Sequence, residues 1–299
     1  MLAKQSIRVS ALNIANAKES EEVYRDAIHT LHESRFMFKV NANTAMMITQ
    51  LDTREYTKDK FDIYGIISRF TLIDKNAPWL NIENFKFASD EDKKRIRIPD
   101  NLKPNASGFL FSFNLKKHRL FLETYYQQDT LTPNRAEKFF QIGLAQKSIK
   151  DKHGDFSVSV VQDKSAIDKI LKIERIKSLV VTIRRPNGDD ANTILEQAEK
   201  KKRDEMAARN LKSEVTEYVS LPGKGIQVDE EIALDMLVST VNGHTLAKGR
   251  DEVNEPVEIS TKSIPREETY RHDRETMTEQ QAFDLAVEKF KAQDNLDET

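Results

Sequence analysis

Between Leu179 and Asn192 the chain reads LVVTIRRPNGDDAN: an apolar run, two arginines, a Pro-Asn-Gly break and two aspartates. Arg184 and Arg185 are of a type that grips phosphate, while Asp189 and Asp190 could hold a divalent cation or cap a helix. Adjacent residues do not face one another on a helix, so an Asp-Asp pair is a poor metal site. A carboxylate just after a turn instead accepts free backbone N–H groups and meets the positive end of the helix dipole. The two aspartates are therefore expected to start a helix. Lys116, Lys117 and Arg119 crowd a short polar stretch, with His118 among them, between two apolar runs. A third basic group, Lys200, Lys201, Lys202 and Arg203, stands amid Glu196, Glu199, Asp204 and Glu205. Cations on hairpin tips and helices neutralise phosphates without reading bases. Together with Arg184 and Arg185, these are the expected nucleic-acid contacts.

Other chemistries lack their residues. The absence of cysteine removes disulfides, thiolate metal sites and thiol nucleophiles. Among six histidines only His29 and His32 have helical ligand spacing, and no glutamate follows the first as in a zinc-protease helix. No metal site and no cofactor is expected. A Walker pattern and a nucleophile-elbow serine are both missing, and the Gly-Lys-Gly of LPGKGIQ stands alone. A restriction-type nuclease needs an acid on one strand and Glu-x-Lys on the next. Asp100 has no such partner in LET at Leu122 or in IERIK at Ile173. The net charge of −2 argues against a uniformly basic binder but leaves room for a local basic face.

The elements that must position these residues follow from periodicity. Ile7, Val9 and Ala11 alternate with Arg8 and Ser10 as a strand, and Val23, Ala27, Ile28 and Leu31 form a helical stripe. Residues 45–51 and 63–72 are rich in strand formers. The stretch 74–104 reads as an irregular connection anchored where Trp79, Phe85 and Phe87 pack. GFLFSFNLKKHRLFLETYY is a hairpin with its turn at Lys116 to Arg119. In TPNRAEKFF, Thr132 is the expected N-cap and Pro133 the first helical residue, with Phe139, Ile142 and Leu144 as anchors. DFSVSVV, KSAIDKILKI and SLVVTI then read strand, helix, strand, the helix burying Ile167, Ile170 and Leu171. This crossover is expected to place the strands at Ser157 and Leu179 in one sheet with the hairpin, covered by a helix on at least one face.

Beyond it come a long charged helix over 189–210, a strand at 214–220, a helix over 229–241 stopped by Asn242-Gly243, and an extended or loosely ordered acidic stretch over 249–276. A last helix over 279–292 carries Phe283, Ala286, Val287 and Phe290 at helical spacing. The expected class is α+β: a mixed, largely antiparallel sheet covered by helices, with a long charged helix and an acidic C-terminal extension. Three parts are expected, at 1–105, 106–245 and 246–299. Neither a leader-like apolar stretch nor an apolar run of about 18 residues occurs, so a cytoplasmic protein without a membrane partner is expected.

The phrases PWLNI, IPDNLKPN, FLFSFNLKKHRLFLE, LTPNRAEKFF and VVTIRRPNGDD resemble, in that order, an uncharacterised family of bacterial proteins known only as a domain of unknown function. The resemblance implies an association with mobile elements and phage defence. The order of elements also resembles, more distantly, phage exclusion proteins of the RexA kind. This likeness implies dimers that bind DNA without sequence preference. The expected protein is a non-catalytic homodimer that associates with nucleic acid, DNA rather than RNA, with the product of a neighbouring gene as a further candidate partner. A metal-dependent nuclease effector and a protein-interaction module are the alternatives.

Overall fold

The longest strand, β1 (Gln5–Asn16), is buried along nearly all its length. Burial on both faces explains why its apolar run is almost continuous. In the computed structural model, which describes residues 4–18, 20–52, 62–74, 76–186 and 194–296, β1 lies deep within a nine-stranded sheet. Helix α1 (Glu21–Glu33) follows it, then β2 (Phe38–Asn41), β3 (Thr44–Asp52) and β4 (Asp62–Thr71). A small insertion holds β5 (Leu80–Asn81), β6 (Lys86–Phe87) and α2 (Asp90–Lys94). Next come β7 (Ser107–Asn114), β8 (Arg119–Tyr126), β9 (Asp129–Thr130), α3 (Pro133–Leu144), α4 (Lys147–His153) and β10 (Phe156–Val160).

The second part of the chain runs α5 (Ser165–Leu171), β11 (Arg175–Arg184), α6 (Ile194–Ala208), β12 (Ser213–Val219) and α7 (Glu230–Asn242). It continues through β13 (Gly243–Arg250), β14 (Pro256–Ser260), a 3-10 turn at Thr261–Ser263, β15 (Glu267–His272) and α8 (Glu279–Leu296). The acidic stretch after Gly249 is thus built into both sheets.

The large sheet has the order β10-β1-β8-β7-β4-β3-β2. β15 pairs with the first half of β1, and β10 pairs with its second half. One face packs against α1 and α3 in a phenylalanine-rich core that includes Phe109, Phe111, Phe113, Phe139 and Phe140. On the other, Ala282, Phe283, Ala286, Val287 and Phe290 of α8 cover Ile7, Val9, Ala11 and Phe121. A four-stranded sheet, β12-β11-β13-β14, carries a separate core in which Leu179, Val181 and Ile183 meet Met206 of α6 and Met236 of α7. The fold is α+β.

Several expectations need correction. The strand at Leu179 is not in the hairpin's sheet, and every strand pairing among the described residues is antiparallel. β11 satisfies its two edges with β12 and β13, while β10 bonds β1, so α5 links two sheets rather than closing a parallel crossover. Phe85 and Phe87 are exposed rather than packed, and Trp79 is half-buried. Ile142 and Leu171 point outward, and the α3 anchors are Ala136, Phe139, Phe140 and Leu144. Thr132 stands at the N-cap of α3 without a side-chain cap bond. Gly243 is extended, with φ 172°, so its role is not a left-handed helix stop. A Cβ there would fall 1.9 Å from the Thr182 carbonyl oxygen, a close approach that β13 needs in order to pair with β11.

Candidate nucleic-acid interface

The hairpin tip joining β7 to β8 is held from inside. Leu115 and His118 are buried, and the His118 ring lies 4.5 Å from the ring of Tyr24 on α1. The Ile14 N–H donates to the His118 carbonyl at 3.0 Å, and the Lys117 N–H donates to the Asn114 side chain at 2.7 Å. With two of its four residues fixed inward, the tip turns Lys116 and Lys117 into solvent. Lys117 Nζ reaches Glu196 Oε1 in the first turn of α6 at 3.7 Å. That contact brings two of the expected basic groups together. Residues four apart share a helix face, so Lys200 follows Glu196 along the same side of α6, beside exposed Lys201.

Beneath this rim lies a cleft of about 800 Å³ between the hairpin, α5, α6, α7 and α8. Lys117, Arg119, Lys164, Arg266 and Lys291 line it together with Asp163, Asp168, Glu196, Glu199 and Glu267. Its lining is charge-balanced, five basic side chains against five acidic ones, and Lys116, Lys200 and Lys201 stand exposed on the rim. Glu199 is held in place by the Asn242 side-chain amide. Asn13 in turn donates to Asn242 at 2.7 Å, so amides bridge β1, α7 and α6 where the sheets meet.

The other expected contacts are not brought here. Arg184 Nη1 donates to Glu137 Oε1 at 2.9 Å, to Ser159 Oγ at 3.1 Å and to the Val158 carbonyl. It joins β11 to α3 and β10 through that nitrogen, and the Glu137 pair turns its charge toward the protein interior. His244 nearby is pushed down to about 4 by burial, with Lys262 and Arg184 adding repulsion. Arg185 lines a separate cavity of about 330 Å³ with Asp155 and Lys212. There Lys150 and Lys212 reach Asp155 at 3.0 and 3.7 Å, and the Lys150 hydrogen bond holds its carboxyl below the ordinary value.

The cluster on α6 divides by helical phase. Lys202 reaches Glu214 at 2.9 Å and Asp235 at 3.0 Å. Burial opposes its charge, but those two hydrogen bonds more than offset it and hold the ammonium above its usual value. Arg203 turns to Asp204 at 3.2 Å, leaving Lys200 and Lys201 outward. Asp189 and Asp190 lie outside the described residues. On α1, His29 and His32 are half-buried, and among the described residues no group of three or more metal-binding side chains gathers.

Sequence reading passed over one ionisable site. Glu123, inside the apolar run of β8, is fully buried. One carboxyl oxygen accepts the Leu110 N–H at 3.1 Å. Burial pushes its pKa up to about 9; the Leu110 bond pulls the other way, and neighbouring Glu279 at the start of α8 raises it further. The signal was a lone acid at an inward position of a strand.

No helix among the described residues is long and apolar enough to cross a membrane. No curated protein and no solved structure matches the chain. A family model described as "Domain of unknown function (DUF4747)" does match, over residues 5–288, and these limits take in every strand of both sheets and the first half of α8. The chain belongs to the DUF4747 family.

Proposed function

We propose that this protein associates with the nucleic-acid backbone without chemical action on it, using Lys116, Lys117, Arg119, Lys200 and Lys201. The observation that carries this reading is the Lys117–Glu196 contact, which joins the outward lysines of the hairpin tip to those of α6 along one rim. Loops held by a rigid scaffold are where contact residues concentrate, and this tip is anchored by Leu115, His118 and Asn114. The acids within the cleft repel phosphate, so the backbone tracks the rim and bases are not read. The distant likeness to exclusion proteins of the RexA kind supports phage defence as the setting and DNA as the ligand.

Electrophoretic shift assays with DNA and RNA across a salt series, with and without magnesium, test the proposal. Log affinity is expected to fall steeply with log salt, without cleavage. Reversing Lys116, Lys117 and Arg119 to glutamate should flatten the slope by roughly 2 to 3, about one per lost contact, equally for all sequences. Parental binding by that triple variant overturns the assignment of the rim. Magnesium-dependent cleavage overturns the non-catalytic reading.

A further inference from the structure

The insertion between β4 and β7 carries an apolar surface that nucleic-acid contact does not use. Leu80 of β5 and Phe87 of β6 are cross-strand partners, so their side chains share one face of the ribbon. Ile82 and Phe85 flank them in the connecting turn. All four meet solvent: Leu80 is 62% exposed, Ile82 77%, Phe85 85% and Phe87 79%. Phe85 also holds a φ of 59°, a conformation bulky side chains rarely adopt. So short a ribbon is marginal by itself in water, and exposing its apolar side makes it more so.

The four side chains together expose roughly 500 Å². A stable interface takes about 800 Å² from each partner. The ribbon can therefore supply the apolar centre, and its flank has to supply a polar rim. That flank is α2, with Asp90 and Glu91 in its first turn and Lys93 and Lys94 in its last. Acid and base side by side next to an apolar centre form a surface that complements itself. A two-fold axis sets the acidic end of one α2 against the basic end of the other. An anionic membrane or a phosphate backbone finds no such match in a balanced rim. We infer that the β5–β6 ribbon and α2 form an isologous interface with a second copy of this chain.

Sedimentation velocity of the full chain over a concentration series tests the interface. The parent is expected to dimerise, with a thermal transition that rises with concentration, and the F85E/F87E variant to sediment as a monomer with an unchanged circular dichroism spectrum, because both rings lie in solvent. Two charge variants, D90K/E91K and K93E/K94E, should each weaken self-association roughly tenfold while their equimolar mixture pairs at parental strength. A parent that stays monomeric, a dimer that survives F85E/F87E, or a mixture no tighter than its components each overturns the proposal. Shift assays separate it from the nucleic-acid reading. The insertion leads into the start of β7 and Lys116 follows its end, about 25 Å away along the strand, so F85E/F87E should bind short DNA at a single site as the parent does.

Discussion

Gly243 shows how much one hydrogen atom decides. It stands where α7 gives way directly to β13, and its Cα rides against the Thr182 and Ile183 backbone of β11. A methyl group there has no flexible side chain to displace, only main chain. Gly243→Ala should cost about 3 kcal/mol in urea unfolding, at the upper end of overpacking penalties. A loss below about 1 kcal/mol would show that β13 can shift away from β11 without harm. The residue type was legible in the sequence, but its reason was not. Asn242-Gly243 after a helical stripe suggests a left-handed stop, whereas contact with a strand some sixty positions earlier is a fact of tertiary structure. The lysines of α6 carry the same lesson. Lys200 and Lys202 are chemically alike, and only helical phase relative to Glu214 and Asp235 makes one a rim cation and the other an internal one.

At the scale of elements, periodicity located β1, the β7–β8 hairpin, α3, α7 and α8 within a few residues, because each buries a definite face. Choice of neighbours was hidden. An apolar strand such as β11 advertises burial but not which edge it will meet, and so the split into two sheets could not be read. Aromatic residues at 85 and 87 advertise packing, and nothing local says that the packing is absent within the chain.

The docking of α8 has a consequence for pH. Glu123 holds its proton far above the unfolded value of about 4.3, chiefly through burial, and Glu279 is raised by burial as well. A folded-state pKa raised above the unfolded one gives stability that is complete below about pH 4.3 and is lost as pH climbs toward about 9. Glu123→Gln retains an acceptor for the Leu110 N–H and removes the titration. Its melting temperature should match the parent's near pH 4 and exceed it by several degrees near pH 8.5. Parallel melting curves across that range would place the titration elsewhere.

For the whole molecule, the question is what makes two sheets one structure. Arg184 is central, since its guanidinium carries β11 of the small sheet onto α3 and β10 of the large one. Removing one member of a buried pair strands the other, at about 3–5 kcal/mol. Arg184→Met should therefore destabilise strongly, while Arg184→Met combined with Glu137→Met should recover most of the loss. Both variants should keep the salt slope of nucleic-acid binding. A flattened slope in folded Arg184→Met would return that arginine to the phosphate contacts. The pairing of β1 reaches furthest in time. The ladder partner of Ile7, Tyr270, comes 263 positions later in the chain. At roughly 5–20 residues per second, tens of seconds pass before that partner is synthesised. Throughout this interval the first half of β1, the longest strand described, has an open edge, so folding during synthesis must proceed beside an exposed aggregation template, and slow topology makes holdase chaperones natural companions of its biogenesis.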